Sequence, residues 1–346
     1  MRSAVITTCS KLRHRKFIAN KLIVMPLMLL CTNVQAKWYQ HSFDVMGTRA
    51  HVEFYLDSEK LKLEEEEQTS KQLIAEVKAE LNRIEQSMSP YIASSELSMV
   101  NQKAAQKTVK VSEELFKLLK QAQQIANLTQ GAFDITYASV GYHYDYRAKQ
   151  KPNENTIQTS LDAINYRAVK LDDNSTTVTF SHPKTKIDLG GIAKGHAIKQ
   201  AINLLKDAGV EHALVSAGGD TLLLGDRVGR PWLIGIKHPR AEDKTAVRLP
   251  LENEAISTSG DYERYFIEDG QRYHHIINPQ TGDSARKVVS VSVIGPDATY
   301  TDALSTAVFV LGLQDGMNLV NRLKDFEAVI IDNQQTMHFS TGLQTN

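Results

Sequence analysis

The sequence predicts an α/β protein with mixed sheets, arranged as two α/β halves. Apolar residues recur at helical spacing at Leu73, Val77, Leu81 and Ile84, and again at Leu115, Leu118, Leu119, Ala122 and Ile125, so each stretch has one apolar face. Apolar and polar residues alternate in HVEFYL (His51–Leu56), which marks a strand with one buried side. Both patterns interleave along the chain with short turn signals and without a Rossmann order of elements.

The first 36 residues read as a secretory leader outside the fold. Arg2, Lys11, Arg13, Arg15, Lys16 and Lys21 make a basic start without an acidic residue, and Leu22–Cys31 is an apolar run too short to span a bilayer. Val34-Gln35-Ala36 offers small residues at the cleavage positions, which predicts export to a periplasm and a mature domain of residues 37–346. Cys31 raises a lipid-anchored alternative, but Leu30 is bulky where that processing prefers a small residue. Cys9 and Cys31 are the two cysteines of the chain, so the mature part has no thiol nucleophile, disulfide or thiolate metal site. Without the six basic leader residues, 34 basic residues face 40 acidic ones, a net charge of −6. A mildly acidic domain gives no reason to propose a nucleic-acid partner or an anionic membrane surface.

The elements follow in order. Trp38–Leu56 reads as a strand pair turning at Met46-Gly47-Thr48. Ser58–Thr69, with Glu64–Glu67, is a solvated helix start or loop, and the helical stripe continues from it to about Ser87. Ser112 caps a second helix that ends near Gly131. Strands are expected in YRAVKL, TTVTF and TKIDL (residues 166–189), then a helix from about Ala197 to Gly209 and a buried strand in HALVSAGGD. WLIGIK, AVRLPL, AISTSG, YERYFIE, YHHIIN and VVSVSVIG read as further strands. Helices at about 302–311 and 314–325 precede a last strand pair, EAVIID and QTMHFS.

Lys186–Gly195, KIDLGGIAKG, sets three glycines, Asp188 and Lys194 between a strand and a helix start. That arrangement brings backbone N–H groups close to phosphates, or it simply makes a tight packed turn. It is neither GxGxxG nor the Walker motif. In Thr301–Gly312, Thr301 is placed to cap a helix and Asp302 to sit in its first turn. Asp302 and Thr306 then share a face one turn apart, which suits a hard cation such as Mg²⁺, although capping alone also accounts for an Asp there. Asp269-Gly270 predicts a hairpin in Tyr262–Asn278, whose adjacent His274 and His275 point to opposite faces. A strand histidine is an acid/base candidate or a packing residue.

Seven segments together resemble the ApbE family of FAD:protein FMN transferases: MGT (Met46–Thr48), SPYIASSELSMVNQ (Ser89–Gln102), GAFDIT (Gly131–Thr136), DLGGIAKG (Asp188–Gly195), TSGDYERYF (Thr258–Phe266), HHIINPQTG (His274–Gly282) and TDALSTAVFVLG. They cover nearly the whole mature chain in the family's order. The resemblance implies two packed α/β halves with FAD in the cleft between them. It implies Mg²⁺-dependent cleavage of FAD and attachment of FMN to a Thr or Ser of flavoprotein subunits in membrane redox complexes, such as the Na⁺-translocating NADH:quinone reductase or the Rnf complex, with AMP released. Work at the periplasmic face, close to the inner membrane, is implied with it. Carried over by position, Asp302 and Thr306 match the metal pair with the Gly191 carbonyl as third ligand. Met46, Tyr91, Gly131, Ala132, Phe133, Asp134, Asp188 and Lys194 match FAD contacts, and His275 matches a histidine near the phosphates that is a candidate base beside Asp302 as the catalytic pair. His196, Lys199 and Asn278 depart from the usual Tyr, Asp and Asp, and Asn278 removes a charge next to His275. A metal-dependent FAD pyrophosphatase and a non-catalytic FAD carrier remain the alternatives.

Overall fold

The computed structural model describes residues 37–57, 63–241 and 243–344. The predicted leader and the start of Ser58–Thr69 lie outside them. Residues 36–346 cluster as one compact unit.

The chain opens with a hairpin, β1 (Lys37–Val45) and β2 (Thr48–Leu56), whose two-residue turn places Met46 at φ 53° and Gly47 at φ 67°. Both angles positive is the type I′ turn that matches strand twist. Then come α1 (Leu63–Met88), α2 (Glu96–Lys103), β3 (Val109–Lys110) and α3 (Glu113–Leu128). Ser112 caps α3 by accepting from Leu115 N at 3.2 Å, as expected. The short α4 (Ala138–Gly141) and α5 (Glu154–Leu161) precede β4 (Val169–Asp172) and β5 (Thr177–Phe180). Next are α6 (Ala193–Asp207), β6 (Ala213–Ala217), β7 (Asp220–Leu224), β8 (Trp232–Lys237), β9 (Thr245–Leu251) and β10 (Ala255–Gly260). The chain closes with β11 (Tyr265–Glu268), β12 (Gln271–His274), β13 (Ser290–Gly295), α7 (Ala298–Leu311), α8 (Leu313–Val320), β14 (Glu327–Ile331) and β15 (Met337–Phe339).

An eight-stranded antiparallel sheet, β1-β2-β6-β7-β10-β13-β14-β15, is the frame. Its two faces are sorted by the strand period. Along β14, Ala328 and Ile330 join the main core under α6 and α7, while Val329 joins Trp232, Ile236 and Leu251 of the β8–β9 hairpin on the other face. Burial of these side chains supplies the main stabilisation, about 2 kcal/mol for each large aliphatic group. Helix α7 is buried almost all round, and α6 crosses it against the sheet. A three-stranded sheet, β3-β5-β4, and the β11–β12 pair flank this frame, so the expected mixture of helices with several sheets is observed, every pairing among the named strands being antiparallel. No helix among the described residues is long and apolar enough to cross a membrane.

Four local expectations are corrected. TKIDL is not a strand: Asn101 bonds Ile187 on both sides, its Oδ1 accepting from Ile187 N and its Nδ2 donating to Ile187 O, each at 2.8 Å. A side chain there replaces the neighbouring strand. Helix α6 begins at Ala193 instead of near Ala197, because Ile192 N and Ala193 N already bond Leu189 O; Lys194 and Gly195 are therefore first-turn helix residues. Asp297, not Thr301, caps α7, accepting from Thr299 N at 2.9 Å and Tyr300 N at 3.3 Å. Asp302 consequently sits in the second turn, beyond the cap, and Thr301 is buried against the Ser257 hydroxyl at 2.9 Å. Strand β12 stops at His274, so only Tyr273 and His274 of YHHIIN are strand, and the rest is irregular apart from an isolated bridge from Ile277 to Ser284.

Candidate active site at the α6–α7 crossing

One end of the large sheet gathers the functional candidates. The β1–β2 turn at Met46-Gly47, the β6–β7 turn at Gly218-Gly219 and the Gly260 end of β10 all lie there, as the pairings Val45↔Thr48, Ala217↔Asp220 and Gly260↔Ser290 require. The N-terminal turn of α6 and the second turn of α7 meet at the same end. Gly195 makes the meeting possible. A Cβ on it would overlap the Ala298 carbonyl oxygen and stand 2.7 Å from that carbonyl's carbon and 2.8 Å from Asp302 Cβ. The missing side chain lets Gly195 N donate to Asp302 Oδ2 at 2.9 Å.

Lys194 reaches two carboxylates from the same helical turn. Its ammonium is ion-paired with Asp220, the first residue of β7, and lies 3.3 Å from Asp302 Oδ1. Both aspartates are buried. Burial favours the neutral amine, yet the two carboxylates outweigh it and raise the Lys194 pKa above its usual value. Burial, then the charge of Asp220, push the Asp302 carboxyl upward, against the opposing pull of Lys194 and the Gly195 N–H. Asp302 therefore gains from any further positive charge nearby.

Hydroxyl groups complete the oxygen side. Ser259 Oγ is 2.9 Å from Ser305 Oγ and 3.3 Å from Thr306 Oγ1. Ser305 is committed to its own helix, donating to Asp302 O at 2.8 Å. A Cβ on Gly191 would lie 3.3 Å from Thr306 Oγ1 and 3.4 Å from Phe133 Cε2, so the glycine bend rests directly on the α7 hydroxyl. Among the described residues no three His, Cys, Asp or Glu side chains form a metal cluster. What is present is a carboxylate seeking charge, a loosely bonded hydroxyl and a bare backbone bend. That donor set fits a hard cation which keeps waters and phosphate oxygens as its other ligands.

The two histidines differ in their surroundings, although only His274 lies in the strand. His274 is buried edge-on against Phe309 at 5.5 Å, and its Nε2 faces Ala285 O at 2.6 Å, which fixes Nε2 as the protonated nitrogen. His275 is half-buried and turned toward the cationic end of the site. Burial lowers its pKa to about 3, with further lowering from His274, Arg264 and Lys194, and its Nδ1 is buried without a hydrogen-bond partner.

The remaining candidates surround this centre. Arg264 Nη2 lies 3.3 Å from where a Gly47 Cβ would be, which ties the Met46 turn to the cationic end. Tyr91 is 81% exposed, and partial desolvation together with the charge of Asp188 raises its pKa. Asp188 is buried and pins the glycine bend by accepting from Gly190 N at 2.7 Å, with the Tyr137 and Tyr142 hydroxyls facing it; burial raises its pKa despite these donors. Gly131, at φ 84°, closes α3 by donating to Ala126 O at 2.8 Å. Phe133 reaches the bend at Gly191, whereas Ala132 lines a separate cavity of about 440 Å³ with Leu128, Gln280 and Arg322. Both oxygens of Asp134 are taken by protein donors: Thr136 N at 2.8 Å, Thr136 Oγ1 at 2.6 Å and Tyr166 N at 2.8 Å. Its carboxylate holds the loop, in which Ala132 and Phe133 are themselves buried.

Asp220 and Arg264 join the site without having been singled out in the sequence. For Asp220 a signal existed: a lone acid opening the apolar strand DTLLL after Gly-Gly needs a buried cation as partner.

Residues 46–330 match the model of the ApbE family. A protein of Haemophilus influenzae named FAD:protein FMN transferase is 30% identical over 311 residues, spanning 87% of this chain and 88% of its own. One of the same name from Vibrio cholerae is 33% identical over 255 residues, spanning 72% and 76%. Among solved structures, the ApbE protein of Thermotoga maritima superposes with a TM-score of 0.78 at 34% identity, over 88% of this chain and 98% of its own. The flavin transferase ApbE of Vibrio cholerae superposes at 0.76 with 27% identity, again over 88% and 98%.

Proposed function

The chain belongs to the ApbE family, and from that premise we propose that it is an FAD:protein FMN transferase: it splits the diphosphate of FAD, joins the FMN half to a Thr or Ser hydroxyl of a target flavoprotein and releases AMP. The observation that carries this reading is the α6–α7 crossing, where Lys194, Asp302, Thr306 and the Gly191 bend form one cationic and oxygen-bearing seat under exposed turns. Phosphoryl transfer asks for in-line placement and neutralised phosphate charge, and this seat offers both kinds of group.

In the proposed reaction the target hydroxyl attacks the FMN phosphorus, the bond to the AMP oxygen breaks, and the hydroxyl proton leaves. Lys194 and Arg264 take the negative charge of the diphosphate. Met46, Tyr91 and Phe133 border the flavin, Tyr91 with a ring face open for stacking. Asp188 and Asp134 hold the two FAD-facing segments in shape by binding backbone donors. His275 is neutral, with Nδ1 unpartnered, and receives the proton. Burial is the main cause that depresses its basicity, and Arg264 and Lys194 are lesser ones; an anionic diphosphate beside these two cations offsets their share. Asp302, Thr306 and the Gly191 carbonyl would hold Mg²⁺, whose chemistry when bound is to neutralise the non-bridging phosphate oxygens.

We assign the targets to flavin-carrying subunits of membrane redox complexes such as the Na⁺-translocating NADH:quinone reductase or the Rnf complex, met at the periplasmic side after leader cleavage. The test mixes purified protein, FAD and Mg²⁺ with and without a target domain. Flavin fluorescence on the target band supports the transferase. AMP release that ignores the target makes the protein a pyrophosphatase, and intact FAD makes it a carrier.

A further inference from the structure

Lys194 stands between two buried carboxylates, and the two contacts are unequal. The ammonium is tightly paired with Asp220, whereas its hydrogen bond to Asp302 Oδ1 is long, at 3.3 Å. The other oxygen of Asp302 is held by Gly195 N at 2.9 Å. Asp220 is 1% exposed, so it has almost no water to turn to, and its negative charge requires this lysine. Its position is rigid: it follows the two-residue Gly218-Gly219 turn and is paired in the ladder opposite Ser257.

We propose that Asp220 is a positioning residue that latches Lys194, limiting the ammonium's hold on Asp302 to one long hydrogen bond that a divalent cation can displace from Oδ1. The inference rests on the cation seat assigned under the proposed function. Without the latch, Lys194 has one carboxylate left in reach and competes with the cation for it. With the latch, lysine and cation occupy the site together, and both face the diphosphate. Asp220 thus touches no substrate atom and acts through Lys194.

A double-mutant cycle read by cation binding separates this from simple charge removal. Mn²⁺ affinity is measured by titration calorimetry and by loss of the free-ion paramagnetic signal, without FAD, for wild type, Asp220→Asn, Lys194→Met and the double variant. Circular dichroism and the melting temperature identify variants that fold. The latch predicts that Asp220→Asn weakens Mn²⁺ binding by about 10-fold or more when Lys194 is present, a coupling of ordinary size for linked sites. In the Lys194→Met background the same change costs only about 2- to 3-fold, the through-space share. An equal or larger cost in the Lys194→Met background overturns the latch while leaving the cation seat intact. Absence of Mn²⁺ binding by wild type removes the seat itself, and the latch with it. If Asp220→Asn does not fold, Asp220→Glu in both backgrounds reads the same coupling, because a longer carboxylate displaces the ammonium without removing its partner; equal effects in the two backgrounds again overturn the latch.

Discussion

Gly195→Ala isolates the contact on which the site is built. The added methyl would stand 2.7 Å from the Ala298 carbonyl carbon and 2.8 Å from Asp302 Cβ, and would overlap the Ala298 oxygen. Carbon atoms rest at about 3.5 Å or more, so α6 and α7 must part by at least about 0.7 Å, and by more where the methyl meets the Ala298 oxygen. The neighbours are backbone and a helix-borne Cβ, and neither can swing aside. That separation carries the 2.9 Å bond from Gly195 N to Asp302 Oδ2 to about 3.6 Å, beyond hydrogen-bond range. Overpacking of this kind costs about 1–3 kcal/mol, and a lost bond to a buried carboxylate adds about 1.5–3 kcal/mol. The sum, about 3–6 kcal/mol, lowers the melting temperature by roughly 6–12 °C in a chain of this size. Gly209→Ala at the other end of α6 is the control. Its φ is +85° but no atom stands within 4 Å of the new methyl, so only conformational strain of about 1 kcal/mol applies. Calorimetric melting of both variants, with Mn²⁺ binding measured beside it, decides the matter. A Gly195→Ala protein that melts within 2 °C of wild type and binds cation equally would refute the close-crossing account.

Three further outcomes are expected. Asp302→Ala should cut FMN transfer by about 1,000-fold or more and weaken FAD binding only when Mg²⁺ is present; transfer at wild-type rate, read as fluorescence on the target band, sinks the role of that carboxylate. His275→Ala should slow transfer by about 10²–10⁴-fold while FAD affinity holds; an unchanged rate in single-turnover measurements takes the ring out of the chemistry. His274 contributes to acid stability, alongside His275. Burial holds its pKa at about 4, against about 6.5 unfolded, so the unfolded chain binds the extra proton between those values. Stability is therefore full above pH 6.5 and falls toward pH 4, by about 3 kcal/mol for this ring. His274→Gln, whose amide can still donate toward Ala285 O, should flatten that part of the profile, and denaturant midpoints from pH 4 to 7 that keep the wild-type slope contradict the assignment.

How far local chemistry reached can be followed residue by residue. The Met46-Gly47 turn was legible because a two-residue loop between alternating strands has few solutions and glycine supplies the positive φ. Ser112 was legible as a cap because a hydroxyl before an apolar stripe has a nearby N–H to satisfy. The start of α6 was misplaced because Gly190, Gly191 and Gly195 lower intrinsic helicity, a penalty that packing against α7 overrides. The cap of α7 was misplaced for a related reason: Asp297 and Thr301 are both good cap residues, and burial against Ser257 chose between them. TKIDL has strand composition, but its backbone partner turned out to be the Asn101 side chain, 86 positions away from Ile187.

Sequence alone determined the elements whose causes lie within a few residues: amphipathic stripes, hairpin turns, the glycine bend and the pairing of Asp302 with Thr306 on one helical face. It also carried the family membership, through the order of its motifs. Tertiary structure alone decided which charges meet. Lys194 and Asp220 are 26 positions apart and Lys194 and Asp302 are 108 apart. Electrostatics acts through space and most strongly where water is excluded, so no local pattern encodes that Asp220 is buried beside that lysine or that Lys194 holds Asp302 only by a long bond.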